Sequence, residues 1–262
     1  MKLLLGADPE LFMQIDGVFK SVFGILPGTK EAPHPVERGA VQVDGMAAEF
    51  NINPAATSEE FVLNLTTVMK TMEEMLPGSL VASPVAEFGA EYLATRDEKE
   101  VELGCDPDFN AWTGEVNEAP DVTRTFRTGA GHVHIGWGEG LDVEDAVHIQ
   151  ACRNIVMQLD FYLGLASLMF DDDVQRRELY GKAGAFRPKP YGVEYRVLSN
   201  KWLDNEELMA WVFRASTQAV EDYRKGKRLA DKYGNIEDVV NSSDVTTAKQ
   251  ILEAEGLEIP NV

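Results

Sequence analysis

Gly129-Ala130-Gly131-His132-Val133-His134-Ile135-Gly136 alternates polar and apolar residues between flanking glycines. A period of two is that of a β-strand, so His132 and His134 share one face, about 7 Å apart, while Val133 and Ile135 take the other. Glu49-Phe50-Asn51 and Glu194-Tyr195-Arg196 repeat the pattern. A plain solvent face favours Lys, Thr and Glu. Two His, two Glu, an Asn and an Arg are instead a set suited to metal and phosphate, and the glycines let backbone approach a ligand closely. The simpler alternative for the first segment is a Gly-rich hairpin with incidental histidines.

Around these segments the first half of the chain reads as short strands: Lys2 to Leu5, Glu10 to Ile15, Val18 to Val22, Val41 to Val43, Ala47 to Ile52 and Leu80 to Glu87. Asp16-Gly17, Pro27-Gly28 and Asp44-Gly45 punctuate them, which predicts hairpins and antiparallel pairing. One helix starts at Ser58 as N-cap and ends before Pro77-Gly78, with Phe61, Leu65, Val68, Met72 and Met75 on one face. A longer helix is predicted from about Val143 to Phe170, with an apolar stripe that includes Val147 and a bend at Gly164. Further strands are expected at Val101 to Leu103, His132 to Trp137 and Val193 to Leu198, and helices at Asn205 to Lys232 and Val245 to Glu255. The order predicts an α+β fold, a curved antiparallel sheet backed by helices. Residues 1–232 are expected to form the catalytic domain and residues 233–262 a peripheral helical extension.

The chain has 262 residues, a size that suits one large core. No apolar run approaches the roughly 20 residues of a membrane span, and Met1 to Asp8 meets an acid too soon for a signal peptide. Cys105 and Cys152 lie far apart, which argues against a disulfide framework and fits a reducing cytoplasm. A formal net charge of -20 disfavours nucleic acid and anionic membranes. Yet Val174 to Leu203 carries seven basic residues against two acids, a local anion site.

Glutamates with one imidazole suit Mg2+ or Mn2+; zinc is the alternative. Glu10 follows the Asp8-Pro9 turn and offers a further carboxylate. Leu179 to Pro190, with Lys182, Arg187 and Lys189, reads as a Gly- and Pro-rich loop able to cover a polyphosphate, although no GxxxxGK[ST] loop occurs. His34 reads as a loop residue and His148 as a packed helical histidine. Gly6-Ala7-Asp8-Pro9-Glu10-Leu11 and Gly104-Cys105-Asp106-Pro107-Asp108-Phe109 echo one another, as turn chemistry alone also explains.

Taken in order, Gly6 to Glu10, Val43-Asp44-Gly45 with Ala48 to Asn51, Gly104 to Trp112, Gly131 to Gly136 and Tyr191 to Arg196 resemble the carboxylate-amine ligases of the glutamine synthetase and glutamate-cysteine ligase class. They resemble most closely the phage-associated carboxylate-amine ligase type 2 group. The resemblance implies a glutamine synthetase catalytic-domain-like fold, ATP with Mg2+ or Mn2+, and an acyl-phosphate intermediate. It implies metal ligation by His132 and Glu194, with Glu10 and Glu49 as further metal carboxylates. His134 and Arg196 would contact phosphate, Lys182 and Arg187 would assist, and Asp44 is the candidate base. It also implies a small-molecule or peptide carboxylate and an amine as partners, in the host cytoplasm if the chain is phage-encoded. Glutamine synthetases use E-x-E where this chain has Asp8-Pro9-Glu10, so Asp8 is expected to be a turn residue. Their intersubunit site is not carried over, and oligomeric state is left open. The competing readings are a zinc hydrolase using His132 and His134, against which stands a supply of only four histidines, and a non-catalytic nucleotide-binding or assembly protein.

Overall fold

The computed structural model describes residues 2–101, 108–117 and 124–261; the expected residues 102–103 of one strand and residues 104–107 of the second G-x-D-P motif lie outside them. Thirteen strands form among the described residues: β1 (Leu4–Ala7), β2 (Glu10–Ile15), β3 (Val18–Lys20), β4 (His34–Val36), β5 (Gly39–Asp44), β6 (Ala47–Ile52), β7 (Ser79–Val81), β8 (Val85–Glu87), β9 (Phe109–Asn110), β10 (Phe126–Thr128), β11 (Val133–Gly136), β12 (Ala185–Lys189) and β13 (Gly192–Tyr195). Their pairing is antiparallel, as the turns predict. Asp16 and Gly17 both take positive φ at the β2–β3 turn, the conformation that a two-residue hairpin requires.

The strands divide between two main sheets where a single curved sheet is expected. One has the order β1-β11-β13-β12-β9; the other runs β3-β2-β6-β5-β4, with β7 also paired to β2, and β8 and β10 form a separate pair. The chain passes from the first sheet to the second at Asp8-Pro9. Pro9 has no N–H to extend the β1 ladder. Its carbonyl instead accepts from the Phe50 N–H on β6 at 3.2 Å, and Glu10 starts β2 opposite Glu49.

Each sheet turns its apolar row to a helix. Leu5, Val133, Ile135, Val193 and Tyr195 are buried on one side of the first sheet, and the Ala146–Leu159 helix packs on β12 and β13. Val41, Ala48 and Phe50 are buried on the second, under the Ser58–Glu74 helix, whose Phe61, Leu65, Val68 and Met72 are buried as predicted. That helix packs against Glu206–Arg224, so one core runs beneath both sheets. Val240, Ala248, Ile251 and Leu252 near the C-terminus are buried in the same core. No helix among the described residues is long and apolar enough to cross a membrane.

Several expectations are corrected. Thr57, not Ser58, caps the first helix, accepting from the Glu60 N–H at 3.2 Å. Val101 ends a short helix, Glu98–Val101. Exposed His34 opens β4 instead of lying in a loop. The long helix ends at Leu159 and continues as a π-helical turn, Asp160–Gly164, which sets the buried Asp160 to accept from Trp112 Nε1 at 2.7 Å and Tyr195 Oη at 2.8 Å. Val147 is 76% exposed because the buried stripe runs through His148, Cys152, Ile155, Val156 and Leu159. The expected basic loop contains β12, since Ala185 and Phe186 have a buried face to fill and partners in β9 and β13.

Candidate active site

Register builds the site in rows. Across the first sheet Gly6, His134, Glu194 and Arg187 are successive cross-strand partners, so period two places their side chains on the face opposite the apolar row. Two residues along, Asp8 and His132 are joined by an Asp8 N–H to His132 carbonyl bond at 3.4 Å, and Arg196 follows Glu194 on the same face. In the second sheet Glu10 faces Glu49, and Glu49 faces Gln42. Asp44 lies two residues from Gln42 on β5. The two polar faces enclose a cavity of about 850 Å3 lined by Asp8, Glu10, Asp44, Glu49, His132, Arg187, Lys189, Glu194 and Arg196, among others. A smaller cavity of about 620 Å3 shares Asp8, Gln42 and Glu49 with it and is lined by Asn51, His134, Trp137 and Tyr191.

The first sheet's charges compensate one another. Lys189 Nζ lies 2.6 Å from Glu194 Oε2, Arg196 Nη1 donates to Glu194 Oε1, and Arg196 Nε donates to Asp108 Oδ2 at 3.0 Å. His134 Nε2 lies 2.9 Å from Asp8 Oδ1, and its Nδ1 meets the Tyr191 hydroxyl. Burial works to raise Asp8, but the charge and hydrogen bonds of His134 and His132 outweigh it and hold this carboxyl well below the usual range. Burial depresses His134, and Asp8 more than restores it, so its pKa is raised. His132 falls to about 3, through burial and then the adjacent Arg196 charge. Glu194 is raised by burial and by Asp8.

The second sheet's carboxylates have less compensation. Lys30 bridges Asp44 at 2.8 Å, Gln42 Nε2 donates to Glu49 Oε2 at 2.8 Å, and the Ala130 N–H donates to Glu10 Oε2 at 3.0 Å. Burial and then Asp44 push Glu10 up to about 8, and burial with the charges of Asp8, Asp44 and Glu10 raises Glu49 well above the ordinary value.

Asp8, His132 and Glu194 offer ligand atoms that all lie within 4.8 Å of one another. His132 Nδ1 is 3.4 Å from Asp8 Oδ1 and 3.4 Å from Glu194 Oε1. Asp8 Oδ1 and Glu194 Oε2 are buried, the first beside His134 Nε2 at 2.9 Å and the second beside Lys189 Nζ at 2.6 Å. Two carboxylates and one imidazole, converging within 4.8 Å, fit a hard divalent cation. The set includes Asp8, which also lies in the connection between β1 and β2 where the sequence places a turn residue. The signal was present: Gly6, Asp8 and Glu10 keep period two straight through Pro9.

Of the residues expected in the site, Glu10, Asp44, Glu49, His132, Arg187, Glu194 and Arg196 line the larger cavity and His134 the smaller. Lys182 is exposed and lines neither. Asp108, Tyr180 and Tyr191 were missed because their contacts to Arg196, His132 and His134 span long sequence separations.

Residues 122–245 match the family model described as Phage phiEco32-like COOH.NH2 ligase-type 2. Over these residues the chain is similar to that family, the one its motifs resemble. The comparison with curated proteins gives no match.

Proposed function

We propose that this chain, similar over residues 122–245 to a carboxylate-amine ligase family, uses ATP to join a small-molecule or peptide carboxylate to an amine through an acyl phosphate, on a glutamine synthetase catalytic-domain-like framework. The observation that carries this reading is the opposition of two walls across one cavity: Arg187, Lys189 and Arg196 on the first sheet, Glu10, Asp44 and Glu49 on the second. In the first step a carboxylate oxygen attacks the γ-phosphorus and the bond to ADP breaks. In the second the amine nitrogen attacks the acyl carbon and phosphate leaves. Mg2+ or Mn2+ held by Asp8, His132 and Glu194 would supply charge neutralisation at the phosphate oxygens.

Arg196 and Arg187 stabilise charge on the transferred phosphoryl group, and the Asp108 bond to Nε orients the Arg196 fork in advance. The acidic wall, in its ionised form, attracts the ammonium form of the amine and takes its proton. Glu10, at about 8, is matched to proton transfer near neutral pH; Asp44, the other candidate, is engaged by Lys30. Trp137 and Tyr191 give the smaller cavity stacking surface for the nucleobase, beside His134 for phosphate. The triad contains one imidazole only, which speaks for a hard cation over a His132/His134 zinc centre. The reading is tested by Glu194→Ala: metal-dependent ATP turnover is expected to vanish across acid and amine pairs while circular dichroism is unchanged, and full turnover would refute it.

A further inference from the structure

The short helix Val174–Leu179 delivers two side chains behind the triad. Arg176 is buried, and its guanidinium donates to the carbonyls of Gly129 at 3.1 Å, Val197 at 2.8 Å and Leu198 at 2.7 Å. It thereby fastens the segment leading into β11 to the segment leaving β13. Gly181, at positive φ, lies so close that a Cβ would stand 2.2 Å from Arg176 Nη1. Tyr180, between them, has its N–H bonded to the Arg176 carbonyl at 2.7 Å. The Tyr180 ring has the Arg176 guanidinium 5.7 Å and the Arg196 guanidinium 5.3 Å from its centroid. Its hydroxyl stands 3.4 Å from His132 Nε2.

A neutral imidazole carries its proton on one nitrogen, and the partner of the other nitrogen decides which. His132 Nδ1 faces Asp8, Glu194 and, at 3.4 Å, the Arg196 Nη1 donor. The two carboxylates favour a proton there, which would close the imidazole to a cation. The Arg196 donor and an acceptor at Nε2 favour the opposite form. We propose that Tyr180 is a positioning residue: its hydroxyl oxygen accepts from His132 Nε2–H and so leaves the Nδ1 lone pair directed between Asp8 and Glu194, ready for a divalent cation. The inference rests on the metal-dependent reading above. The aromatic ring alone would serve packing, so the hydroxyl is the informative atom.

Tyr180→Phe keeps the ring between the two guanidiniums and removes the acceptor. Calorimetric titration of Mn2+ into the whole protein is expected to show affinity reduced about ten- to a hundredfold, the usual effect of losing a ligand's outer partner, with an unchanged melting temperature. Long-range proton–nitrogen NMR of the Mg2+-loaded wild type is expected to show His132 with its proton on Nε2, and a mixture of tautomers in the variant. Wild-type Mn2+ affinity in the variant, or a proton on Nδ1 in the Mg2+-loaded wild type, would overturn the role of Tyr180. Absence of Mn2+ binding to the wild type would overturn the metal reading itself, and with it this inference.

Discussion

The two walls of the cavity are built alike and charged differently. Both are polar faces of antiparallel sheets whose other faces are closed by helices. On the first, Glu194 is held by Lys189 and Arg196, Arg196 by Asp108, and Asp8 by His134. On the second, Glu10 and Glu49 are buried with a backbone N–H and an amide for company, and burial drives both toward the neutral acid. A compensated wall is organised before a ligand arrives; a wall of strained carboxylates gains most when a cation does.

The largest expected effect tests the first half of that contrast. Arg196→Ala would take the buried guanidinium from Asp108 and Glu194, leaving the Asn117 amide and Lys189 beside them, and is expected to destabilise the protein by about 3–5 kcal/mol, measured by urea unfolding. A loss below about 1 kcal/mol would mean the wall is not organised by its ion pairs.

The second half predicts the reverse sign. Glu10 has a folded pKa near 8 against an ordinary 4.5, so the stability it contributes is full below 4.5 and is lost as pH rises through about 8. The metal-free protein should therefore lose on the order of a few kcal/mol over that window from this group. Glu10→Gln should flatten the slope and melt higher than wild type at alkaline pH. An unchanged slope in the variant would break the contrast.

Asp8→Asn bears on the triad where the two sheets meet. Replacing one carboxylate is expected to weaken Mn2+ binding by about ten- to a hundredfold, by analogy with the loss of outer-shell support; an unaffected affinity would return Asp8 to the status of a turn residue. Smallest of all, Lys182→Ala should leave ATP affinity within a few-fold, because an exposed charge in high dielectric contributes at most about 1 kcal/mol. A larger loss would extend the basic wall beyond the cavity.

Period-two alternation made much of both walls legible: Glu49, His134 and Glu194 lie on the polar sheet faces it assigns, and His132 and Arg196, one residue beyond their strands, line the same cavity. The strands β2 and β6 and the helix over Phe61 to Met72 were equally readable, because long apolar periodicity leaves few choices. Turn residues misled the reading of β12. Its Arg187-Pro188-Lys189 looks like loop chemistry, and only pairing with β13 makes it a strand. The same punctuation hid Asp8 behind Pro9. Register across strands, which decides that Glu10 meets Glu49 and Arg187 meets Glu194, is a property of pairing that no local pattern carries. The family match, over residues 122–245, covers β11 to β13 of the first wall and none of β2, β5 or β6. The acidic wall therefore stands on geometry alone.

The most direct test of the central claim is calorimetric titration of ATP into wild type and His132→Ala, with and without Mg2+ or Mn2+. Binding that requires the divalent cation and disappears in the variant is the predicted result. ATP binding that is indifferent to cation and to His132, or no binding with either metal, would contradict a metal-dependent ligase site between these two sheets.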